Sequence, residues 1–331
     1  MGGGEPIGVG LIGYGKAGRV FHAPLIAAVD GLELRRTARR DDARDLIADP
    51  AIELVVVATP NSSHYGLAQE ALLAGKHVVV DKPFTVTSGE ARRLVSLSKV
   101  HNRVLSVFHN RRWEGDFLTA RRLIAENALG RLVSYEARFD RFRNEPRPGV
   151  WRESAEPGSG VLYDLGSHLV DQALFLFGNP DSVTADVRTE REFAAADDAF
   201  EVWMHYPGMR VTLHAGMLVR ERTPRYVVRG TTATFVKFGL DPQEADLAAG
   251  RNPRDPGWGR EPREQWGTLI TDDGREETIE TLPGRYQSFY ENVRDAIRDG
   301  APLAVTAEQA LQTIEIIEAA YETWHPPAGR P

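Results

Sequence analysis

The sequence predicts an α/β domain followed by an α+β domain: a doubly wound parallel sheet, then a mostly antiparallel, open-faced sheet with helices. Three observations predict this. Up to residue 108, short apolar runs alternate with helical patterns, the signature of parallel strands joined by crossover helices. Beyond that point, longer segments alternate apolar and polar residues, as in antiparallel sheets with one less buried face. The length of 331 residues is also large for a single core. The expected domains are therefore residues 1–108 and 109–331.

In the first domain the strand-like runs are Ile7–Gly13, Leu32–Thr37, Leu54–Thr59, His77–Asp81 and Arg103–Phe108. Leu54-Val55-Val56-Val57-Ala58 is apolar throughout, which suits a strand covered on both faces. Helical patterns cover Ser62–Ala74 and Ser88–His101, and Thr87 with Glu90 has the spacing of a capping box. Between Thr37 and Ala51 only one short helical stretch, Asp42–Ala48, finds room. The usual third strand and its helix do not fit there. A sheet without that strand and an interruption of the sequence account equally well for the shortness. In the common doubly wound order the missing strand would lie at an edge.

In the second domain Arg131–Phe142 sets Val133, Tyr135, Ala137 and Phe139 on one face. Ser134, Glu136, Arg138 and Asp140 fall on the other. Phe200–Tyr206 and Arg210–Leu218 read as strands, and Tyr226–Phe238 as a further pair. Helices are expected at Phe117–Glu126, Tyr163–Phe177 and Arg285–Arg298, with a last one, Ala307–Thr323, returning to the first domain. Asp241–Gly267, rich in Pro, Gly, Asp and Arg, reads as a long surface loop.

Composition narrows the function. A net charge of -7 argues against a general nucleic-acid binder, since phosphate binding wants a basic face. No apolar run approaches the roughly 18 residues of a membrane span, and no secretion signal is legible. The absence of cysteine removes disulfides, thiol catalysis and cysteine-ligated zinc. A cytoplasmic protein without membrane or nucleic-acid partners is expected.

The run Ile7–Ile12 ends in Gly13-Tyr14-Gly15-Lys16-Ala17-Gly18 and opens into a helical pattern. A strand, a GxGxxG turn and a helix in this order form a dinucleotide site. The first glycine makes the turn, the second lets backbone approach a pyrophosphate, and the third packs helix on strand. The second strand ends Arg35-Arg36-Thr37-Ala38-Arg39-Arg40, with no acid before Asp41. An acid there would serve the ribose hydroxyls of NAD, whereas arginine suits the 2′-phosphate of NADP. NADP is the expected cofactor and NAD the alternative.

Ligands of open α/β sheets sit beyond the carboxyl ends of the strands. Three segments end there: Thr59-Pro60-Asn61 with His64, Asp81-Lys82-Pro83, and His109-Asn110-Arg111-Arg112-Trp113. Lys82 could stabilise negative charge developing on a substrate oxygen, or be a surface lysine. Asp164 and His168 are four apart, so one helix face would bring carboxylate and imidazole together. That pair suits acid/base work near neutral pH, and equally a helix-surface pair; no metal is expected. Trp113, Trp151 and Trp203 are candidates to line a sugar-sized pocket, with Arg152 and Tyr290 weaker ones. His22, His77, His101, His205, His214 and His325 have no partner legible in the sequence.

Together these residues resemble the glucose-fructose oxidoreductase / inositol dehydrogenase / rhizopine catabolism family, Gfo/Idh/MocA. The resemblance rests on the glycine loop, Ala58-Thr59-Pro60-Asn61, Asp81-Lys82-Pro83 and Gly160-x-x-x-Asp164-x-x-x-His168. It covers nearly the whole chain. Within the family, Val20-Phe21-His22, Phe108–Phe117 and Tyr163–Gln172 are similar to the NADP-dependent scyllo-inositol dehydrogenase branch. The resemblance implies a dehydrogenase acting on a secondary hydroxyl of a cyclitol or sugar, with Lys82, Asp164 and His168 as its catalytic group. The implied cofactor-binding set is Gly13, Tyr14, Gly15, Lys16, Ala17, Gly18, Thr37, Arg39, Arg40, Thr59, Pro60, Asn61, His64, Asp81, Lys82 and Asn110. The implied substrate set adds Arg112, Trp113, Trp151, Arg152 and Tyr163 to the catalytic group. Relatives further imply a homodimer or homotetramer built on the second domain's sheet. Two departures stand out: the family's usual Glu before the lysine is Asp81, and the segment after Thr37 is short. A dehydrogenase of another sugar, and a non-catalytic dinucleotide-sensing regulator, are the alternatives.

Overall fold

The computed structural model describes residues 5–323, and His325 lies outside them. The chain divides into two compact units, and the division differs from a single cut after residue 108. The first unit holds residues up to Gly115 together with Asp241–Arg260 and Leu282–Leu311; the second holds Asp116–Leu240, Glu261–Thr281 and the chain from Gln312 on.

The first unit is built on five parallel strands: β1 (Ile7–Ile12), β2 (Leu32–Ala38), β3 (Leu54–Val57), β4 (His77–Val80) and β5 (Leu105–Val107). They stand in the order β2-β1-β3-β4-β5. Among the described residues no strand lies outside β2, which is an edge of the sheet. The short segment after Thr37 holds only the small helix α2 (Ala43–Ala48) after α1 (Ala23–Ala27). Every residue of β1 and β3 is buried, which is why these strands carry no polar alternation. The crossover helices α3 (His64–Leu73) and α4 (Ser88–Val100) follow β3 and β4. Thr87 and Glu90 close the expected capping box at the start of α4.

Asp241–Gly267 is not a plain surface loop. It contains α7 (Gln243–Ala248), and Asp241, Gln243 and Trp258 are buried in it. Asp241 accepts from the Gly115 amide at 2.7 Å, while Gln243 reaches the Trp113 carbonyl at 3.1 Å. Proline and glycine content signalled irregular backbone, but these polar anchors are what order it. α8 (Gln287–Asp299) completes this unit.

The second unit carries α5 (Gly115–Ala125, all but its first residue) and α6 (Ser167–Phe177). Its sheet has eight strands: β6 (Leu132–Arg138), β7 (Ser182–Arg188), β8 (Ala199–Tyr206), β9 (Met209–Gly216), β10 (Tyr226–Gly230), β11 (Ala233–Lys237), β12 (Gly267–Thr271) and β13 (Glu276–Ile279). The order is β13-β12-β11-β10-β6-β9-β8-β7, antiparallel except where β6 pairs β9. β7, β12 and β13 were not legible from alternation. On β6, Tyr135 and Ala137, with Phe139 beyond its end, are buried as expected, whereas Val133 is 44% exposed. The last helix, α9 (Ala307–Thr323), is divided between the units after Leu311. No helix among the described residues is long and apolar enough to cross a membrane.

Candidate active site

One group of candidate residues lies in the first unit, on the rim where β1, β3, β4 and β5 end. Gly13 has φ +98°, and a Cβ there would lie 2.3 Å from the Ala58 carbonyl oxygen. At Gly18 a Cβ would lie 2.0 Å from the Gly13 carbonyl oxygen. A Cβ at Gly15, by contrast, would meet nothing within 4 Å. The outer glycines are thus demanded by packing, and the middle one faces open space. A π-helical turn, Gly18–His22, follows and runs into α1. These features fit a pyrophosphate approaching bare backbone at a helix start.

Thr37, Arg39 and Arg40 lie exposed at the end of β2 and beyond it. Arg35 is engaged by Glu33 at 2.9 Å and the Ala51 carbonyl at 3.1 Å, and Arg36 by the Asp45 carbonyl at 3.2 Å. Arg39 and Arg40 are both exposed at this edge, Arg40 standing 3.9 Å from Asp41. Tyr14 and Lys16 are exposed beside the glycines, Lys16 lying 3.6 Å from Glu244.

Lys82 is half-buried directly after β4, and the Lys82–Pro83 bond is cis. Its backbone amide donates to Asp81 Oδ1 at 2.8 Å. Asp81 Oδ2 is 3.7 Å from His22 Nε2, and His22 Nδ1 is 2.6 Å from the Tyr290 hydroxyl. Burial pushes the Asp81 carboxyl up, but His22, Lys82 and His64 outweigh it and hold it down at about 2. Thr59 and Asn61 end the β3 rim, with His64 buried behind them.

Asn110 is buried in the turn after β5. Arg112, expected to meet substrate, is 4% exposed and donates to the Ala304 carbonyl at 2.7 Å and Gln309 Oε1 at 2.9 Å. Trp113 packs edge-on against Phe289 at 5.9 Å. Arg111 is held by Glu114 and by Glu244 at 2.9 Å, and the Tyr286 hydroxyl donates to Glu114 at 2.9 Å. Much of the Phe108–Phe117 motif therefore serves to lock this turn in place.

Another group of candidate residues lies in the second unit. Asp164 lies in a π-helical turn, Leu162–Gly166, that leads into α6, and His168 is the second residue of α6. His168 is buried, its ring edge-on to Phe139 at 6.3 Å. Arg152 Nε is 3.2 Å from Asp164 Oδ1, and its guanidinium stacks 4.5 Å over Trp151. Trp151, Arg152 and Asp164, singled out separately in the sequence, thus form one cluster. Tyr163 stacks on Tyr321 at 5.8 Å.

Asp197 was missed. It accepts from the Leu162 amide at 2.8 Å and the Tyr321 hydroxyl at 2.6 Å. Burial raises its carboxyl's pKa against those donors. It supplies from a distant loop the acceptor that a helix start normally finds nearby. Gly160, with φ +94°, was the visible half of that arrangement. His214 finds Asp140 at 2.5 Å, and His77 Nδ1 accepts from the Val104 amide at 3.0 Å.

Known proteins are similar to this chain along nearly its whole length. The family model described as "Oxidoreductase family, NAD-binding Rossmann fold" matches residues 36–109, and "Oxidoreductase family, C-terminal alpha/beta domain" matches 121–325. The uncharacterized oxidoreductase YdgJ of Escherichia coli is 46% identical over 96% of both chains. The scyllo-inositol 2-dehydrogenase (NADP(+)) IolW of Bacillus subtilis is 40% identical over 96% of this chain and 94% of its own. The solved structure of YPO2259 from Yersinia pestis superposes with a TM-score of 0.91 at 42% identity, covering 99% of this chain and 98% of that one. The chain is an oxidoreductase of the Gfo/Idh/MocA family, with an NAD(P)-binding Rossmann domain and the family's C-terminal alpha/beta domain.

Proposed function

We propose that the protein is an NADP(H)-dependent dehydrogenase of a cyclitol or sugar hydroxyl, with scyllo-inositol as the favoured substrate. The observation that carries this reading is the 40% identity to IolW over nearly the whole chain. Lys82, Asp164 and His168 stand at the positions the family resemblance implies.

When bound, the nicotinamide supplies the acceptor or donor of hydride. The chain's own residues handle the proton and the oxygen. Lys82 holds the substrate oxygen and stabilises its alkoxide character. His168 takes the hydroxyl proton in oxidation and returns it in reduction. Asp164 orients His168, with Arg152 fixing the carboxylate from the other side. Arg39 and Arg40 would meet the 2′-phosphate and Gly15 would admit the pyrophosphate, while Gly13 and Gly18 shape the turn beside it. The same reading has a cytoplasmic homodimer or homotetramer; the lack of cysteine supports the compartment.

The test is the pair of variants Lys82→Ala and His168→Ala. Each should lower kcat for polyol-dependent reduction of NADP⁺ by at least about tenfold, the low end of what positioned groups contribute. Tm should hold in both. Undiminished turnover in either variant would remove that residue from the mechanism.

A further inference from the structure

The imidazole of His64 bridges two of the rim turns. It is the first residue of α3 and is 1% exposed. Its Nδ1 is 2.9 Å from the Pro83 carbonyl oxygen, and its Nε2 is 2.9 Å from the Thr59 carbonyl oxygen. Both partners are acceptors only, so the ring can engage either of them only as a donor. Pro83 is the residue after Lys82, and Thr59 begins the turn after β3. On its other side Lys82 is pinned by its amide's bond to Asp81 Oδ1 at 2.8 Å. The peptide unit carrying the lysine is therefore gripped through the amide before it and the carbonyl after it.

We infer that His64 is the positioning residue of Lys82, acting through the Pro83 carbonyl. It rests on the reading above, in which Lys82 meets the substrate oxygen. A lysine on a four-carbon stem is only as well placed as the backbone at its root. A displacement of about 1 Å at such a site can cost on the order of 10²-fold in rate. The ring touches neither substrate nor the reacting atoms; it sets where Nζ starts from. Burial opposes the imidazolium, while Asp81 and the backbone of Pro83, Thr59 and Phe84 favour it, and the balance lowers the pKa of His64. A neutral ring donates to one carbonyl at a time, so the two sides of the bridge are separable.

Substitution separates them. The amide nitrogen of Asn overlays the position of Nδ1 and keeps the donor to Pro83. That of Gln overlays Nε2 and keeps only the donor to Thr59. His64→Ala, His64→Asn and His64→Gln are compared in the full-length protein, with Tm measured for each. The first readout is hydrogen exchange of the Lys82 amide without substrate. It should quicken at least about tenfold in His64→Ala and His64→Gln, and His64→Asn should recover most of that protection. The second is polyol-dependent kcat, with kcat and cofactor Kd determined separately. His64→Gln should lose at least about tenfold in kcat with Kd within about threefold, and His64→Asn should regain most of the loss.

Rescue by Gln rather than Asn, or a loss confined to cofactor Kd, would overturn the inference and assign His64 to the Thr59 side. Unchanged exchange in His64→Gln would overturn it too. Lys82→Ala, run in parallel, separates the two failures. If Lys82→Ala turns over normally, the catalytic reading falls, while the exchange data still judge the grip on the turn. If Lys82→Ala is inactive and His64→Gln keeps full activity, only the positioning role falls.

Discussion

Gly160 is pressed against the carboxylate of Asp197, where a Cβ would lie 1.9 Å from Oδ1. That carboxylate holds the Leu162 amide and the Tyr321 hydroxyl, at the start of the helix bearing Asp164 and His168. Gly160→Ala must either expel Asp197 or distort a backbone at φ +94°. A loss of about 1–3 kcal/mol in stability is expected, from overpacking and strain. Asp197→Asn keeps the size and one acceptor, so it should cost less. Denaturant titration of the two variants checks the order; a Gly160→Ala protein as stable as the parent contradicts it.

The glycines of the first turn should separate in the same way. Gly18→Ala brings a Cβ to 2.0 Å from the Gly13 carbonyl oxygen, and backbone has little room to give. It should lose about 1–3 kcal/mol of stability. Gly15→Ala meets no protein atom within 4 Å, so its Tm should match the parent. Its cofactor affinity should fall at least about tenfold, because the methyl occupies the approach to the pyrophosphate. Thermal unfolding reads the stabilities and calorimetric titration with NADP⁺ the affinity; an unweakened Gly15→Ala would move the dinucleotide elsewhere.

Acid should weaken the first unit in two steps. Burial, then Arg103, depresses the His77 pKa from 6.5 to about 4 in the folded chain. The unfolded chain therefore binds the extra proton first, and stability drains as pH falls from about 6.5 to about 4. The reason is visible: Nδ1 accepts from the Val104 amide, and a protonated ring cannot. His77→Asn, whose side-chain oxygen can take over as acceptor, should flatten the Tm profile across that window. Asp81, depressed from 3.8 to about 2, contributes above pH 3.8 and is lost as pH falls through about 2. That shift corresponds to about 2 kcal/mol. A Tm profile of the parent that is flat from pH 6.5 to 4 would contradict the assignment.

The parallel sheet was legible because its strands are apolar throughout, and β1 and β3 begin at the expected residues, Ile7 and Leu54. That β2 stands at the edge was one of the two readings left open by counting residues after Thr37. β7 and β13 escaped notice because many of their positions face solvent or are half-buried, leaving little alternation to read. Asp241–Gly267 was misread because its order comes from Asp241 and Gln243 reaching partners more than a hundred residues away. The same limit applies to the site. Lys82, Asp164 and His168 sit in local motifs and could be named. Asp197, Tyr321, and the pairing of His22 with Tyr290 depend on long-range contacts that no spacing rule reveals.

The most direct test of the account follows reduction of NADP⁺ and NAD⁺ by the purified protein with scyllo-inositol, myo-inositol and common aldoses. The parent is run beside the Arg39→Ala/Arg40→Ala double variant. The account predicts reduction of NADP⁺ with scyllo-inositol and little with NAD⁺. It also predicts that the double variant loses at least about tenfold in kcat/KM for NADP⁺ alone, as expected when charge-assisted bonds to a phosphate are removed. Equal use of both cofactors, with the arginine variant indistinguishable from the parent, would contradict the cofactor assignment. Tight NADP⁺ binding without turnover of any polyol or aldose would contradict the dehydrogenase assignment.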